Sequence, residues 1–281
     1  MNIGCIVQAR NTSSRLPGKI LLKLPCNSET TVLGQVIERV RKSKYVNQLI
    51  VATTINNEDD SIVDLCNKLN TKYFRGSEDD VLERFYHAAK KYNLDVIIRI
   101  TSDCPCIDWE IIDRLILIHL KNKNDYTSNT LKRSFPHGLD AEVFNFDILE
   151  EMENKAKEKF EREHVTPYIY KINHERFKIE NLMADQLQHG PQIRITLDTK
   201  EDYNALCAVY DLLFYQNQNF VCSDIVKLYN KMPWLKYLNN NINQKKICNS
   251  LKEELEETIR ILKNQDLFRA VGFIQEKITN E

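Results

Sequence analysis

The strongest constraint on the fold is an alternation, within the first 121 residues, of short apolar runs with longer amphipathic stretches. The apolar run Ile3–Gln8 is followed by Thr31–Ser43, where apolar residues recur at helical spacing. The same pairing recurs with predicted strands at Gln48–Thr54, Lys72–Arg75 and Asp95–Thr101, and predicted helices at Glu58–Leu69, Glu78–Tyr92 and Trp109–Lys121. Four consecutive strand–helix pairs predict an α/β fold with a mainly parallel central sheet and flanking helices.

The pattern changes after residue 121, where shorter strands and then charged helices are predicted. The strands are Tyr126–Asn129, Glu142–Phe146, Phe177–Leu182 and Ile193–Leu197, and the helices are Phe146–Lys159, Lys200–Tyr215, Ser223–Asn230 and Gln244–Lys263. The Asn-rich segment Asn239–Asn243 is typical of a linker or turn. We therefore expect a main domain over residues 1–215 and a helical C-terminal extension over residues 216–281.

Charge and hydropathy exclude several classes of partner. With 39 Lys and Arg against 40 Asp and Glu, the net charge is −1, so the chain as a whole is not suited to coat nucleic acid or an anionic membrane. The apolar stretch Ile111–Leu120 is interrupted by Asp113 and Arg114, and Ile3–Val7 is too short for a signal peptide. We expect a cytoplasmic protein with neither nucleic acid nor membrane as a partner.

The loop after the first predicted strand carries three cations. Arg10, Arg15 and Lys19 lie among small hydroxyl residues and a Pro-Gly turn within residues 8–19. In open α/β sheets ligands bind at the carboxyl ends of strands, and arginine and lysine match phosphate oxygens. The loop matches neither a Walker A motif nor a dinucleotide fingerprint. It predicts a phosphate site, with a solvated basic loop as the alternative.

Two aspartates directly follow predicted strands. Asp103 comes after the strand that ends at Thr101, and Asp198 comes after Ile193–Leu197. Each could simply cap the helix that follows. Together with the basic loop, however, they could form a site for a nucleoside triphosphate, because Mg²⁺ prefers one or two carboxylates plus substrate phosphates.

The ordered motifs resemble the spore-coat polysaccharide biosynthesis cytidylyltransferase family, which is related to the acylneuraminate and CMP-Kdo cytidylyltransferases. The resemblance covers about residues 1–215. The matching blocks are residues 3–10, 14–19, 51–54, 74–82, 99–105, 128–130, 138–143, 161–168 and 194–199.

This resemblance implies a nucleotide-diphospho-sugar transferase fold of the GT-A, Rossmann-like type. It also implies transfer of CMP from CTP to a sialic-acid-like sugar acid, with release of pyrophosphate, for surface or spore polysaccharide. By the same resemblance, Arg10, Arg15, Lys19 and Asp103 are the catalytic residues. Asp103 and Asp198 would bind Mg²⁺.

Further candidates surround these residues. The nucleotide-binding candidates are Gln8, Ala9, Arg10, Ser14, Arg15, Lys19, Arg75, Ser77, Thr101 and Ser102. The acceptor-binding candidates are Arg99, Asn129, Asp140, Glu142, Glu163, His164 and Arg194.

Some of these residues have other interpretations. Asp140 and Glu142 would share one face of a strand, where they could bind or activate the acceptor or form the polar face of an edge strand. Glu163 and His164 could orient substrate or form a dimer contact, and a homodimer is a further expectation.

Three residues depart from the family pattern. Asn11 and Ser13 stand where relatives often carry Met and Gly, and Ser102 stands where they often carry Gly. These positions lie near the expected nucleotide, so the changes could alter contacts to the base or ribose.

Three other functions remain open at the level of sequence. A glycosyltransferase that consumes a nucleotide sugar usually carries a D-x-D motif, which Asp103 and Asp140 match poorly. The other two are a cytidylyltransferase that acts on a phosphorylated acceptor and a non-catalytic nucleotide-binding module.

Overall fold

The computed structural model describes residues 1–240, 242 and 250–279, within which seven strands form one sheet in the order β3-β2-β1-β4-β6-β5-β7. The strands are β1 Ile3–Gln8, β2 Gln48–Thr54, β3 Lys72–Gly76, β4 Val96–Thr101, β5 Tyr126–Ser128, β6 Glu142–Asn145 and β7 Ile179–Asn181. β1 pairs in parallel with β2 and β4, and β2 pairs in parallel with β3. Only β6 runs antiparallel to its neighbours among these strands. The other six strands run in the same direction, and the carboxyl ends of β1–β4 therefore lie along one edge.

Helices cover both faces of this sheet. They are α1 Val32–Val40, α2 Asp60–Lys68, α3 Val81–Lys91, α4 Trp109–Asn122, α5 Phe146–Lys155, α6 Lys159–His164, α7 Lys200–Leu213 and α8 Cys222–Lys231. Two further described helices, α9 Leu251–Asn264 and α10 Phe268–Thr279, follow later in the chain. On one face, Val36, Ile112 and Leu206 belong to a core that includes α1, α4 and α7. On the other, Phe85 and Leu149 belong to a core under α3 and α5.

The predicted fold class is confirmed, and the four N-terminal strand–helix pairs lie close to their predicted positions. Helix α1 ends at Val40 rather than Ser43, and α3 begins at Val81 rather than Glu78. Asp80 caps α3 by accepting a hydrogen bond from the Glu83 amide. The predicted helix Phe146–Lys159 ends early, as α5 at Lys155, and Lys159 instead begins a separate helix, α6. Glu158 and Glu161 form a capping box that starts a new helix there.

The predicted strand Ile193–Leu197 is wrong. Its β-pairing is one isolated bridge, between His137 and Arg194, rather than a strand ladder. It is nevertheless buried, with Ile193, Ile195 and Leu197 all at most 1% exposed. An apolar alternation therefore marks burial here without marking sheet pairing.

The described chain divides into two compact units, residues 1–239 and 240–281. The division lies beyond the predicted boundary at residue 215 because α8 buries Ile225 and Tyr229 in the core of the first unit. The predicted linker Asn239–Asn243 overlaps the division, although residues 241 and 243–249 lie outside the described residues. In the second unit, α9 and α10 follow one another closely. No described helix is both long and apolar enough to cross a lipid bilayer.

Candidate active site

Lys19 joins three segments at the carboxyl ends of β1 and β4. The loop after β1 turns at Gly18, whose φ of +69° is left-handed. The Lys19 ammonium then donates hydrogen bonds to Asp103 Oδ2 at 2.8 Å, to the Leu197 carbonyl at 2.6 Å and to Asp198 Oδ1 at 3.0 Å. Burial would lower the pKa of Lys19, but the two carboxylates outweigh it and raise that pKa. Lys19 is therefore charged and is held between two carboxylates.

Asp198 is surrounded by cations. Besides Lys19, Arg15 lies 2.8 Å from Oδ1, and Arg194 donates to Oδ2 at 2.9 Å. Burial acts to raise the pKa of Asp198, but Lys19, Arg15 and Arg194 together lower it to about 2. The carboxylate is therefore ionised at neutral pH.

Backbone contacts bring Asp103 next to the segment that carries Asp198. The Leu197 amide donates to the Asp103 carbonyl at 2.8 Å, and the Ser102 amide donates to the Gln8 carbonyl at 3.1 Å. Ser102 is buried, and Thr101 is the last residue of β4. The loops after β1 and β4 and the segment before α7 therefore form one continuous edge.

A glycine turn holds this segment in place. The amide of His137 donates to the Ile193 carbonyl, and the amide of Ile195 donates back to the His137 carbonyl, both at 2.8 Å. Gly138 follows with φ +114°, and a Cβ there would lie 2.6 Å from the Ile195 carbonyl carbon and oxygen. Only glycine allows such a close backbone approach.

The donor chemistry at this edge fits Mg²⁺. Asp103 and Asp198 offer oxygen ligands, and both lie within 3.0 Å of the Lys19 ammonium. No group of three or more metal-ligating side chains occurs among the described residues. Mg²⁺ binds through one or two carboxylates plus substrate phosphates rather than in an all-protein cage. The two aspartates therefore fit a metal that binds together with a nucleotide.

Among the other nucleotide-binding candidates after β1, two are exposed to solvent and one contributes to the sheet. Arg10 and Ser14 are exposed, and Arg10 lies 3.6 Å from Glu78. The Ala9 amide donates to the Ala52 carbonyl at 3.0 Å, which extends the β1–β2 pairing.

The departure from the family pattern at Asn11 has a structural role. The Asn11 amide donates to Asp59 Oδ1 at 2.7 Å, and its Nδ2 donates to the Glu58 carbonyl at 2.6 Å. Asn11 therefore ties the loop after β1 to the start of α2.

Arg75 and Ser77 form hydrogen bonds within the fold and are therefore less available to contact a nucleotide than their sequence positions suggested. The Arg75 guanidinium donates to the carbonyls of Thr54 and Asn56 and to Asp60. The Ser77 hydroxyl accepts from the Asp80 amide at 3.1 Å. Both residues shape the loop between β3 and α3 in the described structure.

A cavity of about 510 Å³ lies beside this loop and is lined in part by Asn56, Gly76, Ser77 and Arg84. Arg84 is 2% exposed, and its Nε has no hydrogen-bond partner. Burial, together with the nearby charge of Arg10, lowers the pKa of Arg84 to about 10. Arg84 was not among the residues predicted from the sequence, although a cation on the apolar face of α3 was a signal that could have revealed it.

Arg99 and Glu142 form a buried ion pair in the sheet, with 14% and 8% of their side chains exposed. Glu142 also accepts hydrogen bonds from Tyr126 at 2.5 Å and Thr166 at 2.7 Å. Arg99 Nε donates to the Gln8 side chain at 3.1 Å. This network links β1, β4, β5 and β6.

Asp140 precedes β6 and has partners different from those of Glu142. It accepts two hydrogen bonds of 2.8 Å from Arg133, while His137 Nε2 lies 3.9 Å away. Burial acts to raise the pKa of Asp140, but Arg133 lowers it. The two carboxylates therefore belong to separate networks. Arg133 and His137 were not among the site residues predicted from the sequence.

Arg194 connects the Asp140 side of the site with Asp198. Its Nη1 lies 3.0 Å from His137 Nδ1, and its Nε and Nη2 bind Asp202 at 2.8 and 2.9 Å. Burial acts to lower the pKa of Arg194, but Asp202 and Asp198 outweigh it and raise that pKa. Arg194 is therefore charged and is fixed from several directions.

The other two acceptor candidates lie on separate elements. Asn129 donates to the Leu139 carbonyl at 2.8 Å and accepts from the Ala141 amide at 3.0 Å, so it fixes the segment before β6. Glu163 and His164 are half-buried on α6.

Helix α6 lies on the α3 side of the sheet. On it, Arg162 bonds to Asp80 at the start of α3 and to Glu153 of α5. Glu163 and His164 are therefore held beside α3 and α5.

Comparison with known proteins assigns the family. The cytidylyltransferase family model matches residues 4–265. The chain is 44% identical over 248 residues to an uncharacterised protein of Methanocaldococcus jannaschii, covering 87% of this chain and 97% of that one. It is 36% identical over 234 residues to the spore coat polysaccharide biosynthesis protein SpsF of Bacillus subtilis, covering 81% and 94%.

Solved structures agree with this assignment. A cytidylyltransferase from Leptospira borgpetersenii is 34% identical with a TM-score of 0.78, over 88% of this chain and all of that one. The CMP:2-keto-3-deoxy-manno-octonic acid synthetase complexed with CTP shares the fold, at 15% identity and a TM-score of 0.56, over 75% of this chain and 99% of that one. The chain belongs to the cytidylyltransferase family and is a CTP-dependent nucleotidyltransferase.

Proposed function

We propose that this enzyme transfers CMP from CTP to a sialic-acid-like sugar acid and releases pyrophosphate. The observation that carries the proposal is the Lys19 ammonium, which is held between Asp103 and Asp198 beside Arg15. This arrangement joins cations suited to phosphate oxygens with carboxylates suited to Mg²⁺.

The triphosphate binds at the loop after β1. Arg10 and Arg15 retain exposed guanidinium groups, with 47% and 37% of their side chains accessible, and Ser14 is exposed between them. In the reaction, an acceptor oxygen forms a bond to the α-phosphorus. The bond between the α-phosphorus and the oxygen that bridges to the β-phosphate breaks. The acceptor proton leaves to solvent, and pyrophosphate departs. Positioning and charge neutralisation supply the catalysis without a covalent enzyme intermediate.

Asp103 and Asp198 would hold Mg²⁺, which when bound neutralises charge on the phosphates. Lys19 keeps the two carboxylates close together, since without a cation between them they would repel each other. Arg15 and Arg194 hold Asp198 ionised from two further directions. Side chains of the enzyme therefore hold the two carboxylates close together, and Asp198 ionised, before a metal binds.

The cavity beside Gly76 and Ser77 is our candidate for the cytidine subsite. It lies at the end of β3 and next to Glu78, which lies 3.6 Å from Arg10 of the phosphate loop. The unpartnered Nε of Arg84 offers a buried donor there. Arg75, Thr101 and Ser102 would act by shaping the adjacent loops.

The acceptor binds beside Arg194 and Asp140. Arg194 contacts Oδ2 of Asp198, whereas the phosphate-loop cations Lys19 and Arg15 contact Oδ1. Arg133, with 26% of its side chain exposed, supplies a cation that could attract an acidic acceptor. The buried network of Arg99, Glu142 and Asn129 would support this half of the site. Glu163 and His164 on α6 remain acceptor candidates by family resemblance alone.

The relatives support the wider assignment. The Bacillus subtilis relative is named for spore coat polysaccharide biosynthesis, and the synthetase that shares the fold was solved with CTP. We infer a role in surface or spore polysaccharide synthesis, carried out in the cytoplasm, where CTP is available.

The reaction is tested by pyrophosphate release with CTP and Mg²⁺ against a panel of 2-keto sugar acids and sugar phosphates, with the product identified by mass. CMP joined to one sugar acid is the expected result. Release with a sugar phosphate alone would keep the CTP chemistry and overturn the acceptor. A matched panel of ATP, GTP and UTP tests the choice of base.

We also propose that the second unit pairs with a second copy of the chain. The second unit, residues 240–281, is close to the size of roughly 40 residues below which a core is seldom self-sufficient. Leu251 and Phe268 are 61% and 62% exposed. The charges of α9 suit antiparallel pairing about a two-fold axis, since acids dominate its first half and bases its second: Glu253, Glu254, Glu256, Glu257, Arg260 and Lys263.

Sedimentation velocity of the full chain tests this pairing. We expect a dimer for the natural protein and a monomer for the variant Leu251→Glu/Phe268→Glu. The matched variant Leu187→Glu/Tyr215→Glu, which changes two exposed apolar residues of the first unit (73% and 64% exposed), should remain dimeric. A natural protein that sediments as a monomer would contradict the pairing.

A further inference from the structure

Asp202 is a fully buried carboxylate, four residues after Asp198 and in the first turn of α7. Its Oδ1 accepts from Arg194 Nε at 2.8 Å and from Asn239 Nδ2 at 2.9 Å. Its Oδ2 accepts from Arg194 Nη2 at 2.9 Å and from the amides of Asp198 and Thr199 at 2.9 and 3.2 Å. Five donors therefore converge on one carboxylate.

These bonds act directly on the residue that we assign to metal binding. The hydrogen bond from the Asp198 amide to Asp202 fixes the backbone of Asp198 and therefore the point from which its side chain extends. Arg194 donates to both carboxylates, so Asp202 also fixes the cation that contacts Asp198 Oδ2. A carboxylate that accepts two bonds from one guanidinium has a defined orientation.

Asn239 closes the network from the last residue of the first compact unit. Its side chain donates to Asp202 and also to the Arg194 carbonyl at 3.1 Å. Asn239 is 6% exposed, although it lies where the unit ends. It therefore holds Asp202 and the Arg194 backbone together.

We propose that Asp202 is a positioning residue that aligns Asp198 for the metal–nucleotide complex, and that Asn239 completes this support. The proposal rests on the proposed function in that Asp198 binds the metal. Partners behind a metal ligand commonly change metal affinity by about 10- to 100-fold when they are removed. The competing explanation is that Asp202 only caps α7, where it forms a capping box with Thr199.

The test uses the full-length protein and Mn²⁺ as a spectroscopic probe. Mn²⁺ retained by the protein in the presence of CTP is measured by electron paramagnetic resonance, without acceptor. Asp202→Asn should weaken this binding by about tenfold, while Asp211→Asn, the same change at an exposed position of α7, should leave it unaltered. The concentration of Mg²⁺ giving half-maximal pyrophosphate release should rise by a similar factor for Asp202→Asn alone.

Asn239→Leu provides a second variant outside the α7 cap. It removes one donor from Asp202, and we expect a measurable but smaller weakening of Mn²⁺ binding than for Asp202→Asn, even if Asp202→Asn fails to fold. Unchanged Mn²⁺ binding in Asn239→Leu and in a folded Asp202→Asn, with lower thermal stability only, would leave Asp202 as a helix cap and overturn the proposal. If the natural protein with CTP retains no Mn²⁺, the metal site itself is contradicted.

Discussion

The Lys19 ammonium and the Asp103 carboxylate, 84 residues apart in the chain, form a hydrogen bond of 2.8 Å. The contact joins the loops that follow β1 and β4, and it continues to Asp198 through the same nitrogen. Only 10% of the Lys19 side chain is exposed, so this buried cation is shared between the two carboxylates.

Lys19→Met should reduce kcat/KM for CTP at least 100-fold, a size typical for loss of one preorganised electrostatic contact. The variant leaves Asp103 and Asp198 facing each other without their shared cation. Pyrophosphate release measures the effect. Lys23→Met is the matched control, since Lys23 is half exposed and pairs with the exposed Glu29. A Lys19→Met enzyme within threefold of the natural one would contradict the assignment.

Asp198 should make the free energy of unfolding depend on pH in the acidic range. Its pKa falls from 3.8 to about 2 on folding, which corresponds to roughly 2 kcal/mol of stabilisation. Because the folded pKa is depressed, this stabilisation is complete above pH about 4 and is lost as the pH falls toward 2.

Urea unfolding of the natural protein and Asp198→Asn between pH 7 and pH 2.5 measures this contribution. The difference in unfolding free energy should shrink as the solution is acidified. A difference that stays constant over this range would show that Asp198 is not stabilised as an anion.

Gly138→Ala should destabilise the first compact unit by about 2 kcal/mol or more, because the new Cβ would overlap the Ile195 backbone at a left-handed φ. The displaced segment leads to Asp198, so pyrophosphate release should fall as well. Gly272→Ala is the control: it lies in α10, and nothing lies within 4 Å of the added Cβ. Equal unfolding free energies for the two variants would refute the close-approach explanation.

Glu142→Gln should lower the free energy of unfolding by about 3 kcal/mol, because it leaves the buried Arg99 without its anion. The matched change Glu38→Gln breaks an exposed pair with Arg41 and should cost less than about 1 kcal/mol. Chemical denaturation of both variants checks the contrast. Similar losses for the two would show that Arg99 and Glu142 do not form a buried structural pair.

The N-terminal half of the fold could be predicted because its strands are continuous apolar runs followed by periodic helices. Ile3–Gln8 is buried on both faces, as parallel strands usually are. The same topology explains why the loop cations and Asp103 could be assigned to one edge from the order of the predicted elements alone. Parallel strands place their following loops together.

Other features depend on contacts that are distant in sequence and carry little local signal. The segment that leads to Asp198 has a strand-like pattern, yet it is held by the turn at Gly138 rather than by a ladder. Asp202 had the local pattern of a helix cap, and its contacts with Arg194 and Asn239 became visible only in three dimensions. Arg75 and Glu142 were predicted to contact substrates, but their side chains bond to residues within the fold that the sequence did not reveal.

The most direct measurement is CTP-dependent pyrophosphate release by the natural enzyme and by Asp103→Asn, with acceptor and Mg²⁺ saturating and CTP binding measured separately by calorimetry. We predict that Asp103→Asn binds CTP but releases pyrophosphate at least 100-fold more slowly. If both proteins release pyrophosphate at the same rate, the reaction does not take place where Lys19 joins Asp103 and Asp198.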